Sequence, residues 1–343
     1  MSRITHLVRP NIAALAPYST ARDEYDGPIG IFLDANESPY NNGYNRYPDP
    51  HQAQLKARIS GVKGIPVPNL FLGNGSDEAI DLVFRIFCEP GKDNAVIMSP
   101  SYGMYSVAAA INDVAVRSVS LGEDFTLDTE ALLGACDDRT KVMYLCSPNN
   151  PSGNAFPRGQ LLDICDRFPG VLVVDEAYVD FSEKGSLASE ATKRENLIVL
   201  QTLSKARAMA GLRIGMAISS VEIIRLMSMV KYPYNLSRAA MEKAMSFLDN
   251  PIDNEVSVIV NERKRLSSVL PRYPFVRKVF DSDANFLLVR VDDADALYAF
   301  LLDKGIILRN RSRVPGCAGC LRLTVGLPAE NEALLNALDH YTA

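Results

Sequence analysis

The sequence predicts an α/β fold: a mostly parallel sheet covered by helices on both faces, with a smaller α+β domain attached. Three observations lead there. Short, almost uninterrupted apolar runs recur from about residue 95, each followed by helical periodicity. Polar clusters stand directly after three of those runs, at the carboxyl ends of the strands they predict. Beyond residue 250 the pattern changes to a differently built set of helices and strands. A chain of 343 residues carries about two domains at ~150 residues each.

Residues 1–44, rich in Pro, Asn, Gly and Tyr, read as an extended arm with turns. A helix follows around His51 to Ser60, then the apolar run Leu70 to Leu72 and the loop Gly73-Asn74-Gly75-Ser76-Asp77-Glu78. The next helix places Ile80, Leu82, Val83, Ile86 and Phe87 on one face. Ser76 or Asp77 suits its N-cap, and its acidic first turn complements the helix dipole. Strands are expected at Ala95 to Met98, Val142 to Cys146, Val171 to Val174, Leu197 to Gln201 and Arg213 to Ile218. A helical region over Ala239 to Leu270 leads to a strand at Asn285 to Val291 and a helix at Ala294 to Lys304. A strand at Leu321 to Val325 and a last helix from Glu330 complete the chain. The expected division is a large domain over 45–250, with the arm 1–44 joining a small domain over 251–343.

Composition removes several function classes. Apolar residues at 47% and charged residues at 22% suit a soluble protein with a sizeable core. A net charge of −5 argues against a nucleic-acid partner, yet leaves room for small anions held by a few placed cations. The apolar runs are too short to span a bilayer, and Pro10 and Pro17 break the N-terminal stretch where a signal peptide would need an apolar core. A cytoplasmic location with no membrane partner is therefore expected. The six cysteines, at 88, 136, 146, 165, 317 and 320, need no disulfide framework in a chain of this size. Cys317-Ala318-Gly319-Cys320 looks like half of a zinc or redox motif, but no second pair exists and there are only three histidines. Two ligands do not close a tetrahedral site, so no metal is expected.

The chemistry sits where the strands end. Val142 to Cys146 runs into Ser147-Pro148-Asn149-Asn150-Pro151-Ser152-Gly153, Val171 to Val174 into Asp175-Glu176-Ala177-Tyr178, and Leu197 to Gln201 into Thr202-Leu203-Ser204-Lys205. Open α/β sheets bind ligands at that edge, so Asn, Asp, Tyr and Lys delivered there point to one shared site. Pyridoxal 5′-phosphate asks for such a set. Its aldehyde needs an amine, its pyridine nitrogen a carboxylate, its phenolate oxygen neutral donors, and its phosphate backbone N–H groups with an arginine.

The stretch Thr202-Leu203-Ser204-Lys205-Ala206-Arg207-Ala208-Met209-Ala210-Gly211-Leu212-Arg213 resembles the cofactor-lysine signature of the aspartate-aminotransferase-like superfamily. More narrowly, the chain is similar to the histidinol-phosphate aminotransferase branch. The blocks that carry this are Leu15 to Arg22, Leu33-Asp34-Ala35-Asn36-Glu37, Asn45-Arg46-Tyr47-Pro48-Asp49, Gly73 to Ala79, Pro100 to Tyr105 and Cys320-Leu321-Arg322, in that order. Ser152 departs from the usual threonine, and Asp34 stands where asparagine is frequent.

The resemblance implies a role for each position. Lys205 forms the Schiff base and shuttles the proton; Asp175 holds the pyridinium; Asn150 and Tyr178 donate to the ring oxygen; Tyr102 stacks on the ring. Gly75 and Ser76, at a helix N-terminus, hold the phosphate with Ser204 and Arg213, and Tyr47 reaches in from a second subunit of a homodimer. Arg322 clamps the substrate anion with Asn36 close by, while Tyr18 and Arg22 are candidates for a substrate phosphate. The implied reaction is transamination between histidinol phosphate and 2-oxoglutarate, giving imidazole acetol phosphate and glutamate, in histidine biosynthesis.

Taken singly, many of these residues have ordinary explanations. Gly73-Asn74-Gly75 makes a simple turn, and it fails the dinucleotide pattern because residue 78 is Glu. Asp175 could cap a helix, Pro151 and Gly153 form turns, Tyr102 and Tyr105 pack, and Tyr18 and Arg22 belong to a solvated arm. Lys205 after a buried-looking strand and Arg322 in mid-strand are harder to explain structurally. Rival functions are an aromatic aminotransferase or a threonine-phosphate decarboxylase of the same branch, which share every cofactor residue. A cofactor-sensing module without chemistry would need a DNA-binding segment, and the arm is neither basic nor helix-turn-helix-like.

Overall fold

The computed structural model describes residues 4–20 and 30–342, and the chain divides into two units. One combines Met1–Glu89 with Ala188–Asn250, the other Pro90–Leu187 with Pro251–Ala343.

In the first unit, Leu70–Asn74 (β1), Ile214–Ile218 (β7) and Leu197–Thr202 (β6) lie in the order β1-β7-β6. Both pairs are antiparallel. The sequence expectation of parallel strands fails at β7 for a topological reason. The connection from β6 contains only one 3₁₀ turn, Ala210–Leu212, and a parallel return needs a longer crossover. Against these strands packs Ser76–Phe87 (α3), with Ala79, Ile80, Leu82, Val83, Phe84, Ile86 and Phe87 buried at helical spacing. Its N-cap is Gly75, at φ 74°, rather than Ser76 or Asp77 as the sequence suggests, so no N-cap side chain bonds to the helix. The helices Pro10–Ala13 (α1), Ala53–Lys63 (α2), Ala188–Ala191 (α7), Val221–Val230 (α8) and Arg238–Leu248 (α9) complete the unit.

In the second unit four parallel strands run in the order β5-β4-β2-β3: Val171–Asp175 (β5), Thr140–Cys146 (β4), Asn94–Ser99 (β2) and Ala115–Ser120 (β3). Strand β5 is buried throughout and β4 and β2 nearly so, which is why their apolar runs are continuous. The periodicity did not reveal β3. It sits at the edge with every residue exposed or half-buried, so it carries only Val116 and Val119 among polar and small neighbours. Helices Met104–Ile111 (α4), Thr129–Gly134 (α5) and Arg158–Arg167 (α6) belong to this part.

The rest of the second unit is a separate antiparallel sheet, β10-β11-β9-β8, made of Arg309–Asn310, Cys320–Thr324, Phe286–Val291 and Val276–Val279. Alternation along β9 sends Leu287, Val289 and Val291 into one apolar cluster with Leu266, Leu301 and Leu334, while Leu288 joins Phe280, Cys317 and Cys320 in another. Helices Asp253–Val269 (α10), Ala294–Asp303 (α11) and Pro328–Leu338 (α12) accompany this sheet. The single helical region expected over Ala239 to Leu270 is two helices, because Pro251 lacks the N–H a helix needs and disfavours helical backbone at Asn250. Mostly parallel strands with helices, plus a smaller antiparallel sheet, are the fold class the sequence predicts. No helix of the described residues is long and apolar enough to cross a membrane.

Candidate active site

In the first unit three chain segments leave the strands at one edge. Asn74 pairs with Ile214 and Thr202 with Gly215, so the ends of β1 and β6 lie beside the start of β7. Gly75 donates its N–H to the Arg213 carbonyl at 2.8 Å. A Cβ on Gly75 would lie 2.7 Å from Arg213 Nη2, and one on Gly215 only 2.1 Å from the Ser76 nitrogen. The Gly215 contact is with backbone that cannot yield, so only glycine lets β7 lie against the start of α3 there; at Gly75 the contact is with the movable end of Arg213, and it is the φ of 74° that favours glycine. Arg213, at φ 55°, reaches Asp77 through Nη2 at 3.4 Å. The first turn of α3 presents N–H groups that the helix itself cannot satisfy, at the positive end of its dipole and next to a guanidinium. Such a terminus takes anions, phosphates above all.

Ser204 is held beside this terminus. Its N–H donates to Thr202 Oγ1 at 3.1 Å, and Thr202 Oγ1 donates to its hydroxyl at 3.0 Å. Lys205 follows, and its carbonyl accepts the Ala208 N–H at 2.9 Å in a tight turn. Strand β6 is buried at every residue, but Lys205 itself is exposed. Asn36, Tyr47, Asn74, Arg213, Tyr234 and Lys243 are among the residues lining a cleft of about 1150 Å³. There Tyr47 stacks on Tyr234 with centroids 4.5 Å apart, and its N–H donates to Glu37 Oε1 at 2.6 Å. Tyr18 is 75% exposed, and Arg22 lies outside the described residues.

In the second unit Asp175 closes β5 opposite Cys146 and is 3% exposed. Its Oδ1 accepts the Ala177 N–H at 3.0 Å and its Oδ2 accepts the Tyr105 hydroxyl at 2.7 Å. Burial first, and Asp175 second, push the Tyr105 phenol well above the usual tyrosine range, so Tyr105 remains a donor. Tyr102 meets Tyr105 edge-on at 5.6 Å. Asn150 turns its amide nitrogen to the Tyr178 hydroxyl at 3.4 Å, and its oxygen accepts Arg322 Nη1 at 2.5 Å. Tyr178 is also held protonated, chiefly by burial and despite the opposing pull of Arg322. The turn before it is well built even with serine at 152, since Ser152 accepts the Asn149 amide at 2.7 Å and donates to Asn154 at 2.6 Å.

Arg322 lies over the Phe286 ring at 5.3 Å, and its buried Nε has no hydrogen-bond partner among the described residues. It pairs in register with Arg309 on β10. Burial, followed by Arg311 and Arg309, lowers the Arg322 guanidinium below its ordinary range, and Arg311 is lowered by burial and Arg309. A buried guanidinium with two more arginines acting against its charge is a setting that an anion would relieve. Sequence reading found Arg322 alone of these. The recurrence of arginine at 309 and 311, two residues apart, was the available signal. Tyr105, a packing aromatic on sequence alone, is likewise the partner of Asp175. Among the described residues no group of three or more His, Cys, Asp or Glu side chains could hold a metal ion.

Residues 29–338 match the family model for aminotransferase class I and II. The chain is 54% identical over 342 residues to a histidinol-phosphate aminotransferase of Parabacteroides distasonis, covering 99% of each chain. It is 48% identical over 344 residues to one of Bacteroides fragilis, covering 99% of this chain and all of that one. Among solved structures, the histidinol-phosphate aminotransferase of Clostridium acetobutylicum matches with a TM-score of 0.79 at 26% identity, over 85% of this chain and 89% of the other. The Sinorhizobium meliloti protein of the same name, solved in complex with pyridoxal-5′-phosphate, shares the fold with a TM-score of 0.78 at 24% identity, over 85% and 82%. With most of its length matched by the family model and a relative more than half identical end to end, the chain belongs to the class I and II aminotransferases.

Proposed function

We propose that this aminotransferase moves an amino group between histidinol phosphate and 2-oxoglutarate, giving imidazole acetol phosphate and glutamate, in histidine biosynthesis. The observation that carries this reading is the 54% identity to a protein of that name over 99% of both chains. The cofactor is pyridoxal 5′-phosphate. The residues present fit it: a helix terminus with glycine at its N-cap beside Arg213, that glycine at φ 74°, and a buried carboxylate at Asp175.

When bound, pyridoxal phosphate supplies an aldehyde for an amine and a protonated ring that draws electrons from the substrate Cα. Lys205 holds the aldehyde end and carries the proton to and from the substrate Cα. Asp175 keeps the proton on the ring nitrogen, Asn150 and Tyr178 donate to the ring oxygen, and Tyr102 covers the ring. Gly75, Ser76, Ser204, Arg213 and Tyr47 take the phosphate. Arg322, with Asn36, holds the substrate anion, and the added charge of Arg309 and Arg311 suits a phosphate better than a carboxylate. In functional terms residues 45–250 serve the cofactor, while 1–44 and 251–343 serve the substrate. We place the enzyme in the cytoplasm as a homodimer; the exposed apolar residues Ile31 (91%), Leu33 (88%) and Tyr40 (84%) support pairing through this segment.

The reading is tested by assaying amino transfer from histidinol phosphate to 2-oxoglutarate beside aromatic amino acids and threonine phosphate as donors. Preference for either rival substrate would replace it. Variants refine it. Arg322→Lys is expected to slow both half-reactions, since a lysine cannot fork onto an oxyanion. Arg22→Ala is expected to impair histidinol phosphate far more than glutamate, with a loss of about ten- to a hundredfold in specificity constant for a charged hydrogen bond. Stopped-flow measurement of each half-reaction checks both, and equal losses in Arg22→Ala would take the arm out of phosphate recognition. Tyr47 is expected to act in the partner's site. Mixing inactive Tyr47→Ala and Lys205→Ala proteins should restore up to about a quarter of wild-type activity on random exchange in a two-fold dimer. Exchange without recovery would return Tyr47 to its own chain.

A further inference from the structure

We propose that Glu78 and Asn235 are positioning residues that hold the Gly73-Asn74-Gly75 turn as an anion cradle. The inference rests on the reading that the cofactor phosphate binds at the start of α3.

A carboxylate in the first helical turn complements the dipole, but it also competes for that turn's N–H groups and repels an anion bound there. Glu78, the third residue of α3, avoids the competition by reaching back along the chain. Its Oε2 accepts the backbone N–H of Asn74, one residue before the N-cap. The same oxygen accepts the Asn235 amide at 2.9 Å, and Oε1 accepts it at 3.1 Å. Asn235 in turn donates to the Leu72 carbonyl at 3.0 Å, and its oxygen accepts the Gln52 amide at 2.5 Å. The carboxylate is therefore occupied by donors outside the helix's own first turn.

The remaining N–H of the turn is also assigned, because Gly75 donates to Arg213 at 2.8 Å. With Asn74 and Gly75 satisfied and glycine at the N-cap, neither the turn nor an N-cap side chain competes for the donors of the helix terminus. Steric packing agrees. A Cβ on Gly73 would lie 3.1 Å from Glu78 Oε2 and 3.0 Å from the Phe71 ring, so the turn is seated directly on the Glu78 side chain. Asn235 also follows Tyr234, the ring on which Tyr47 stacks, and thereby joins the cradle to the Tyr47 segment. Without Glu78 the Asn74 N–H loses its acceptor. Without Asn235 the carboxylate loses the donor that both its oxygens share, and is released toward the anion.

The test titrates the cofactor-free full-length protein with pyridoxal phosphate and, separately, with pyridoxal, which has no phosphate, following the colour of the bound form. Glu78→Ala and Asn235→Ala are expected to bind pyridoxal phosphate about ten- to a hundredfold more weakly while binding pyridoxal as the wild type does. Glu78→Gln, which keeps an acceptor for the Asn74 N–H, should recover much of the loss. Asn235→Asp, which sets two acids face to face, should not. Wild-type affinity for pyridoxal phosphate in both alanine variants overturns the proposal. So does equal weakening of both ligands, which would mark a merely structural role. Should an alanine variant fail to fold, the contrast between Glu78→Gln and Asn235→Asp carries the same comparison. If the wild-type protein does not bind pyridoxal phosphate, the cofactor reading itself fails, a result distinct from any defect confined to the variants.

Discussion

Borohydride treatment of the yellow wild-type protein is expected to fix the cofactor on the peptide carrying Lys205, and Lys205→Ala to abolish transamination. The lysine stands three residues beyond a strand buried along its whole length, in a backbone held at both ends of the loop. Ser204 is tied to Thr202 at 3.1 Å, and Leu203 donates to Ile214 at 3.0 Å. A flexible side chain on a fixed backbone suits an amine that must be held in one step and act as a base in the next. Lys231 in the same unit is otherwise engaged, since its Nζ donates to the carbonyls of Pro50 and Pro233 at 2.9 Å and of Tyr232 at 3.2 Å. Proton transfer by a positioned base is worth roughly 10²- to 10⁴-fold by itself, so the variant should fall at least that far. Peptide mapping after reduction is the check. Label on Lys231, Lys243 or any other lysine would unseat Lys205, whatever the activity of its variant.

The parts of the molecule that sequence revealed best are those where one physical cause dominates. Strands β4, β5 and β6 are buried almost throughout, so each reads as an apolar run, and the polar residues beyond them stand out against it. That contrast alone picked out Asn150, Asp175, Tyr178 and Lys205. What stayed hidden depends on contacts between distant segments. Strand β3 has no buried face to give it a period, and the antiparallel course of β7 follows from pairing partners that no local pattern encodes. Gly75 as N-cap was obscured by Ser76 and Asp77, better capping residues by local preference. The backbone at the helix start turns through φ 74° at Gly75, a conformation that L side chains rarely adopt, and Gly215 of β7 packs against it closer than a Cβ permits. The links from Glu78 to Asn235 and from Tyr105 to Asp175 join residues far apart in the chain, where spacing carries no information.

Asp175→Ala should keep the fold and lose most of the turnover. The carboxylate is 3% exposed and both of its oxygens are engaged, by Tyr105 at 2.7 Å and by the Ala177 N–H at 3.0 Å. Removing it leaves two buried donors without their acceptor, a cost of about 1 to 3 kcal/mol each, offset in part because a desolvated charge is lost with it. A lower melting midpoint with an intact cooperative transition is therefore expected, rather than unfolding. The catalytic loss should be larger. An oriented charge acting on the group that develops charge in the transition state is worth roughly 3 to 4 kcal/mol, or about 10²- to 10³-fold in kcat. Tyr105→Phe separates the two effects: it withdraws one donor but leaves the carboxylate in place, so it should cost stability and only a small part of the turnover. Near-wild-type kcat in Asp175→Ala would remove the carboxylate from the chemistry. A Tyr105→Phe protein as slow as Asp175→Ala would instead give the essential role to the hydrogen bond between them.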